Sequence, residues 1–134
     1  MDSSHGDITS RADVVRLVDS FYDRVRADDL LGPIFDTVAR TDWAVHLPKM
    51  YDFWETVLFG TPAYHGQPLG VHLALAQRVA LGETEFQRWL ALFMANVDSL
   101  FAGRMADEAK VRAGRIATVM LHHIGRASTE AASA

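Results

Sequence analysis

Apolar residues recur with a helical period along almost the whole chain, and that pattern rules out most folds. Val14, Leu17, Val18, Phe21, Tyr22 and Val25 are spaced three and one residues apart in turn, which puts them on one face of a helix. Ser10, with Asp13 three residues later, resembles a capping box at its start, and Asp28 and Asp29 mark its end. LLGPIF (30–35) reads as a tight connector, because Pro33 pushes Gly32 out of helical geometry. A second stripe, Trp43, His46, Leu47, Met50, Phe53, Trp54, Val57 and Leu58, opens near Thr41 and Asp42 and stops at Gly60. Pro48 lies inside it, so the regular helix should begin near Val45 or be kinked in its first turn. GTPAYHGQP (60–68) must be a loop, followed by a short helix from about Leu69. Thr84 and Gln87 form a candidate capping box for a third long helix, with Phe86, Trp89, Leu90, Phe93, Val97, Leu100 and Phe101 as its stripe and Gly103 at its end. A last helix is expected from about Ala106 to Ile124, carrying Ala109, Ala113, Ile116, Ala117, Met120, His123 and Ile124. No useful stretch alternates with period two. The spacing predicts an all-α domain.

At 134 residues the chain fits one domain, residues 1–134, with unstructured ends expected at about 1–8 and 127–134. With 49% hydrophobic and 22% charged residues it has the composition of a globular protein. A net charge of -4 and the lack of a Lys/Arg cluster argue against a nucleic-acid partner. No stretch approaches the ~20 apolar residues of a membrane span, and the start MDSSHGDITS is not a signal peptide, so a cytoplasmic protein is expected. Zero cysteines exclude disulfides, thiolate metal sites and iron–sulfur clusters.

The informative positions are those where a polar group interrupts an apolar stripe: Tyr22, His46, Trp89 and, on the short segment GQPLGVHLAL (66–75), His72. Each alone has an ordinary structural explanation. A tyrosine at a stripe edge can reach water, a tryptophan at helical spacing is usually core, and a lone histidine is more often hydrogen-bonded than a ligand. Four such groups on four helical segments can instead converge on one pocket. Zinc would need several histidines or carboxylates at short spacing, and there is no H-x-x-x-H or H-E-x-x-H. His122 and His123 diverge on a helix, and the Glu-x-x-His pairs of a di-iron bundle are missing. An apolar helical cage with few protein ligands suits haem, whose porphyrin supplies four nitrogens and leaves one proximal histidine to the protein.

The chain resembles the truncated haemoglobins of the third group from about Val14 to Ile124. The resemblance rests on FYDRV (21–25), LLGPIF (30–35), WAVHLPKMYDFW (43–54), LFGTPAYHGQPLGVHLAL (58–75) and FQRWLALF (86–93), and the paired glycines typical of the other groups are missing. It implies a shortened globin fold, a helical sandwich around a non-covalent haem b. It makes His72 the proximal iron ligand, and Tyr22, His46, Met50 and Trp89 the distal residues around bound ligand. Phe35, Phe53, Leu69, Phe86, Ile116 and Met120 match pocket walls, and Tyr64 with Lys49 or Arg78 the partners of the haem propionates. Two departures stand out: Pro48 follows His46 closely, and Glu85 occupies a position where the group commonly has histidine.

Donors beside a ligand that gains negative charge stabilise it electrostatically, and Tyr22, Trp89 and His46 supply three. Three donors exceed what simple reversible oxygen delivery needs, so slow release or redox chemistry is expected. The expected function is binding of oxygen, nitric oxide or other diatomic ligands. Nitric oxide dioxygenation or peroxide reduction would add His46 and Tyr22 as catalytic groups and require a reductase. The alternatives are a sensor or oxygen-transport carrier without turnover and, last, a haem-free helical binding domain.

Overall fold

The computed structural model describes residues 5–35, 42–61 and 82–133, without the side chains of 120 and 122–133. Within these it holds four long helices: α1 (Arg11–Ala27), α2 (Trp43–Phe59), α3 (Glu83–Leu100) and α4 (Arg104–Ser133). α1 packs against α2 and α3, while α4 packs against α3 and α2. There is no strand among the described residues.

α1 follows its sequence pattern closely. Ser10 caps it, its side chain accepting from the Asp13 N–H, and the buried residues are Val14, Leu17, Val18, Phe21, Tyr22 and Val25. Burying each of the larger of these side chains stabilises the fold by roughly 1.5–3 kcal/mol. Asp28 ends the helix and organises the next turn of the chain. Its carboxylate accepts from the N–H groups of Leu30 and Leu31 and pairs with Arg88 of α3 at 2.6 Å. Residues 32–35 then form a short helical turn rather than the non-helical connector that Pro33 suggests, with the Phe35 N–H donating to the Leu31 carbonyl. The turn is possible because residue 32 has no side chain. A Cβ there would lie 2.5 Å from the carbonyl oxygen of Arg26, and its lack also relieves the clash a proline imposes on the preceding residue.

α2 starts at Trp43, two residues before Val45, and runs through Pro48. Asp42 caps it, its side chain accepting from the Ala44 N–H and its carbonyl from the N–H groups of Val45 and His46. Pro48 is exposed and sits in the second turn, where its missing N–H leaves the Ala44 carbonyl without the usual intrahelical donor. α3 is capped differently from the Thr84/Gln87 expectation. Gly82 is the N-cap, and the Glu85 carboxylate reaches back to the Gly82 N–H at 2.8 Å. Gln87 instead donates to Glu83. The helix begins two residues earlier than the motif suggests, so the reciprocal carboxylate is Glu85.

The described residues reach into both ends of the chain. Ile8 is completely buried, and the Asp7 carboxylate accepts from the N–H groups of Met105 and Ala106, so the ordered chain begins before residue 8. α4 continues past Ile124, through Gly125, to Ser133. The expected short helix near Leu69 lies outside the described residues.

The core joins all four helices, and aromatic rings form its spine. Trp89 stacks on Phe93 (5.7 Å between centroids, 18°), and Phe93 stacks on Trp54 (4.9 Å, 21°), linking α3 to α2. Phe21 of α1 meets Phe93 and Trp89 edge-on. Small residues on α4, Ala106, Ala109 and Ala113, let that helix approach the cluster closely.

Candidate functional site

Of the polar residues singled out in the sequence, Tyr22 and His46 meet where α1 packs on α2. Tyr22 lies in the buried stripe of α1, and burial alone pushes its phenol well above the ordinary range. It therefore stays protonated and remains a hydrogen-bond donor at any physiological pH. His46, in the first turns of α2, meets the Tyr22 ring edge-on, with centroids 5.3 Å apart at 85°. Met50, one turn further along α2, is buried in the same core cluster. Trp89 enters from α3 through Phe21, whose ring stands 5.0 Å from Tyr22 and 5.5 Å from Trp89.

Phe35, at the end of the short turn after α1, lies 6.3 Å from the Tyr22 ring. Phe53 is half-buried and edge-on to Trp54, Phe86 is buried on α3, and Ile116 of α4 packs against the core cluster. Lys49 is exposed on α2, outside the ring cluster. His72, Tyr64, Leu69 and Arg78 lie outside the described residues, as does the side chain of Met120.

Trp43 is the residue that sequence reasoning left among the ordinary stripe positions. Its ring lies 5.3 Å from Tyr22, 5.6 Å from His46 and 6.1 Å from Phe35, and the Arg26 guanidinium carbon sits 4.9 Å from its centroid. A hint was available, since Trp43 precedes His46 by three residues and so shares its helix face. A further polar contact between α1 and α2 was also not foreseen: the Tyr51 hydroxyl donates to Asp19. Burial and then this bond push the Tyr51 phenol up to about 12. Among the described residues, no three His, Cys, Asp or Glu side chains gather to hold a bare metal ion. The arrangement is therefore one of hydrogen-bond donors set in an aromatic wall, suited to holding a small polar ligand in dry surroundings.

Comparisons with known proteins agree with this architecture. The family model for bacterial-like globins matches residues 4–130. A group 3 truncated hemoglobin of Campylobacter jejuni is 34% identical over 108 residues, covering 78% of this chain and 83% of its own. The crystal structure of a group III truncated hemoglobin from the same species superposes with a TM-score of 0.77 at 29% identity, covering 90% of this chain and 94% of that one. Globins are haem-binding proteins that take small ligands, and no described helix is long and apolar enough to cross a membrane. The chain thus belongs to the bacterial-like globins and, within them, to the group III truncated haemoglobins.

Proposed function

We propose that the chain binds a non-covalent b-type haem through His72 and holds a diatomic ligand, oxygen or nitric oxide, against Tyr22, His46 and Trp89. The observation that carries this reading is the convergence of a buried phenol and an imidazole, 5.3 Å apart, inside an aromatic wall. The described residues fit one side of a haem in their chemistry: apolar and aromatic walls that include the donor-bearing Tyr22, His46 and Trp89, with no bare-metal cluster among them. Haem, when bound, would supply the iron that takes the small ligand.

The protein's own part is to exclude water and to place donors. Tyr22, kept protonated by burial, donates its O–H toward negative charge on the ligand. His46 and the Trp89 indole N–H are further donors, and Met50 and Phe35 keep the surroundings dry. His46 is also the group placed to pass a proton in nitric oxide dioxygenation or peroxide reduction, which would require a reductase partner. A cytoplasmic location belongs to the same reading.

Replacing Tyr22 by Phe removes one hydrogen bond to a charged group, worth ~1.5–3 kcal/mol, and should speed oxygen dissociation at least several-fold. Stopped-flow measurement with a displacing ligand reads this directly, and an unchanged rate removes Tyr22 from the ligand's surroundings. Mixing the oxygenated protein with excess nitric oxide, oxygen and a reductant separates enzyme from carrier: the enzyme yields nitrate over many turnovers, the carrier at most about one equivalent per chain.

A further inference from the structure

We propose that Trp43, braced from outside by Arg26, is a positioning residue that holds the Tyr22 phenol and the His46 imidazole in register, resting on the ligand-binding reading above. Three observations support it. First, the Trp43 ring is shared: it stands 5.3 Å from Tyr22 on α1 and 5.6 Å from His46 on its own helix. His46 is edge-on to both rings, at 85° and 81°, so phenol and indole together restrict the imidazole's rotation. Second, the Arg26 guanidinium lies 4.9 Å from the Trp43 centroid. Arg26 is one turn beyond Tyr22 on the same helix, so this cation–π contact ties the end of α1 to the start of α2.

Third, backbone bonding in that first turn of α2 is incomplete. Pro48 offers no N–H to the Ala44 carbonyl, so the turn carrying Trp43 and His46 relies more on its Asp42 cap and on side-chain contacts. A half-buried indole wedged between α1 and Phe35 supplies such a contact. Trp43 acts through Tyr22 and His46 and is assigned no contact with ligand.

The test uses the full, haem-loaded chain with two readouts, the oxygen dissociation rate and the stretching band of bound carbon monoxide. With Tyr22 and His46 no longer held in one arrangement, Trp43→Leu should broaden or split the carbon monoxide band and raise the dissociation rate about threefold or more, the size of a misaligned charged hydrogen bond. Arg26→Gln should move both in the same direction by less. In a Tyr22→Phe background the effect of Trp43→Leu on the rate should shrink to within about twofold, the mark of coupling through Tyr22. If Trp43→Leu does not fold, Trp43→Phe, whose smaller ring spans less of the gap, is read in the same way. A wild-type band and rate in the Trp43 variants, or an undiminished rate effect in the Tyr22→Phe background, overturns the brace while leaving the ligand-binding reading intact. A wild type with no haem band, or one indifferent to Tyr22→Phe, overturns both.

Discussion

Asn96 is the one buried polar side chain outside the candidate site among the described residues, and it joins two helices. Its amide N–H donates to the Leu17 carbonyl of α1 at 3.0 Å, and its oxygen accepts from Arg24 at 3.1 Å. Asn96→Ala should lower stability by roughly 1–3 kcal/mol, the penalty for stranding buried polar partners, and urea unfolding would measure it. A variant as stable as wild type would mean that these bonds contribute nothing net. At this scale the sequence was informative about residue types and less so about neighbours. Tyr22 and His46 stood out because each interrupts an apolar stripe. Trp43 did not, because an indole at a stripe position looks like any other core aromatic, and its contacts with Tyr22, Phe35 and Arg26 cross between helices that one sequence cannot align. Asn96 carried no local signal, since its partners lie more than seventy residues away.

Among the elements, the start of α4 shows capping at long range. Residue 103 is glycine with φ +140, a conformation side-chain-bearing residues rarely adopt, and it has no side chain to cap the helix it precedes. Asp7 supplies the missing acceptor from ninety-eight residues away. Its carboxylate accepts from the N–H groups of Met105 and Ala106, and a Cβ at residue 103 would collide with it at 2.6 Å. Asp7→Ala should therefore cost about 1–2 kcal/mol and loosen the first turn of α4, visible as faster amide exchange at Met105 and Ala106. Unchanged exchange there would contradict the cap. Burial works against the Asp7 charge, but the N–H groups of Met105, Ile8 and Ala106 outweigh it and hold the carboxyl below its usual range. The folded state thus binds this proton more weakly than the unfolded chain. The stabilisation is present above the ordinary carboxylate value of about 4 and is lost as pH falls through the folded one. Acid titration of wild type against Asp7→Ala should show the stability difference between them narrowing below about pH 4. None of this was legible locally, whereas the ends of α1 were, because Ser10, Asp13 and Asp28 act within a few residues. The start of α3 falls between: Thr84 with Gln87 signalled a cap in this stretch, but the helix starts two residues earlier, with Gly82 and Glu85 in those places.

For the whole molecule, the stacked series Trp89–Phe93–Trp54, with Phe21 edge-on to its first two rings, makes the site and the core one packed unit. Shape and donor placement are therefore coupled, because α1 contributes both Phe21 to the core and Tyr22 to the site. The all-α class was legible throughout, since a period of 3.6 in the apolar residues has no other solution, and the α1 stripe is the set of residues that is buried. How the helices cross was not legible from periodicity, which gives a face but no partner. The central claim is that this group III truncated haemoglobin carries a non-covalent haem through His72. The most direct measurement is the absorption spectrum of the purified protein and of His72→Ala, in ferric, ferrous and carbon monoxide-bound states. The account predicts an intense Soret band in wild type that is removed by acid–organic extraction, with haem content and band shape lost in the variant. A variant that keeps the wild-type spectrum and haem content would contradict it.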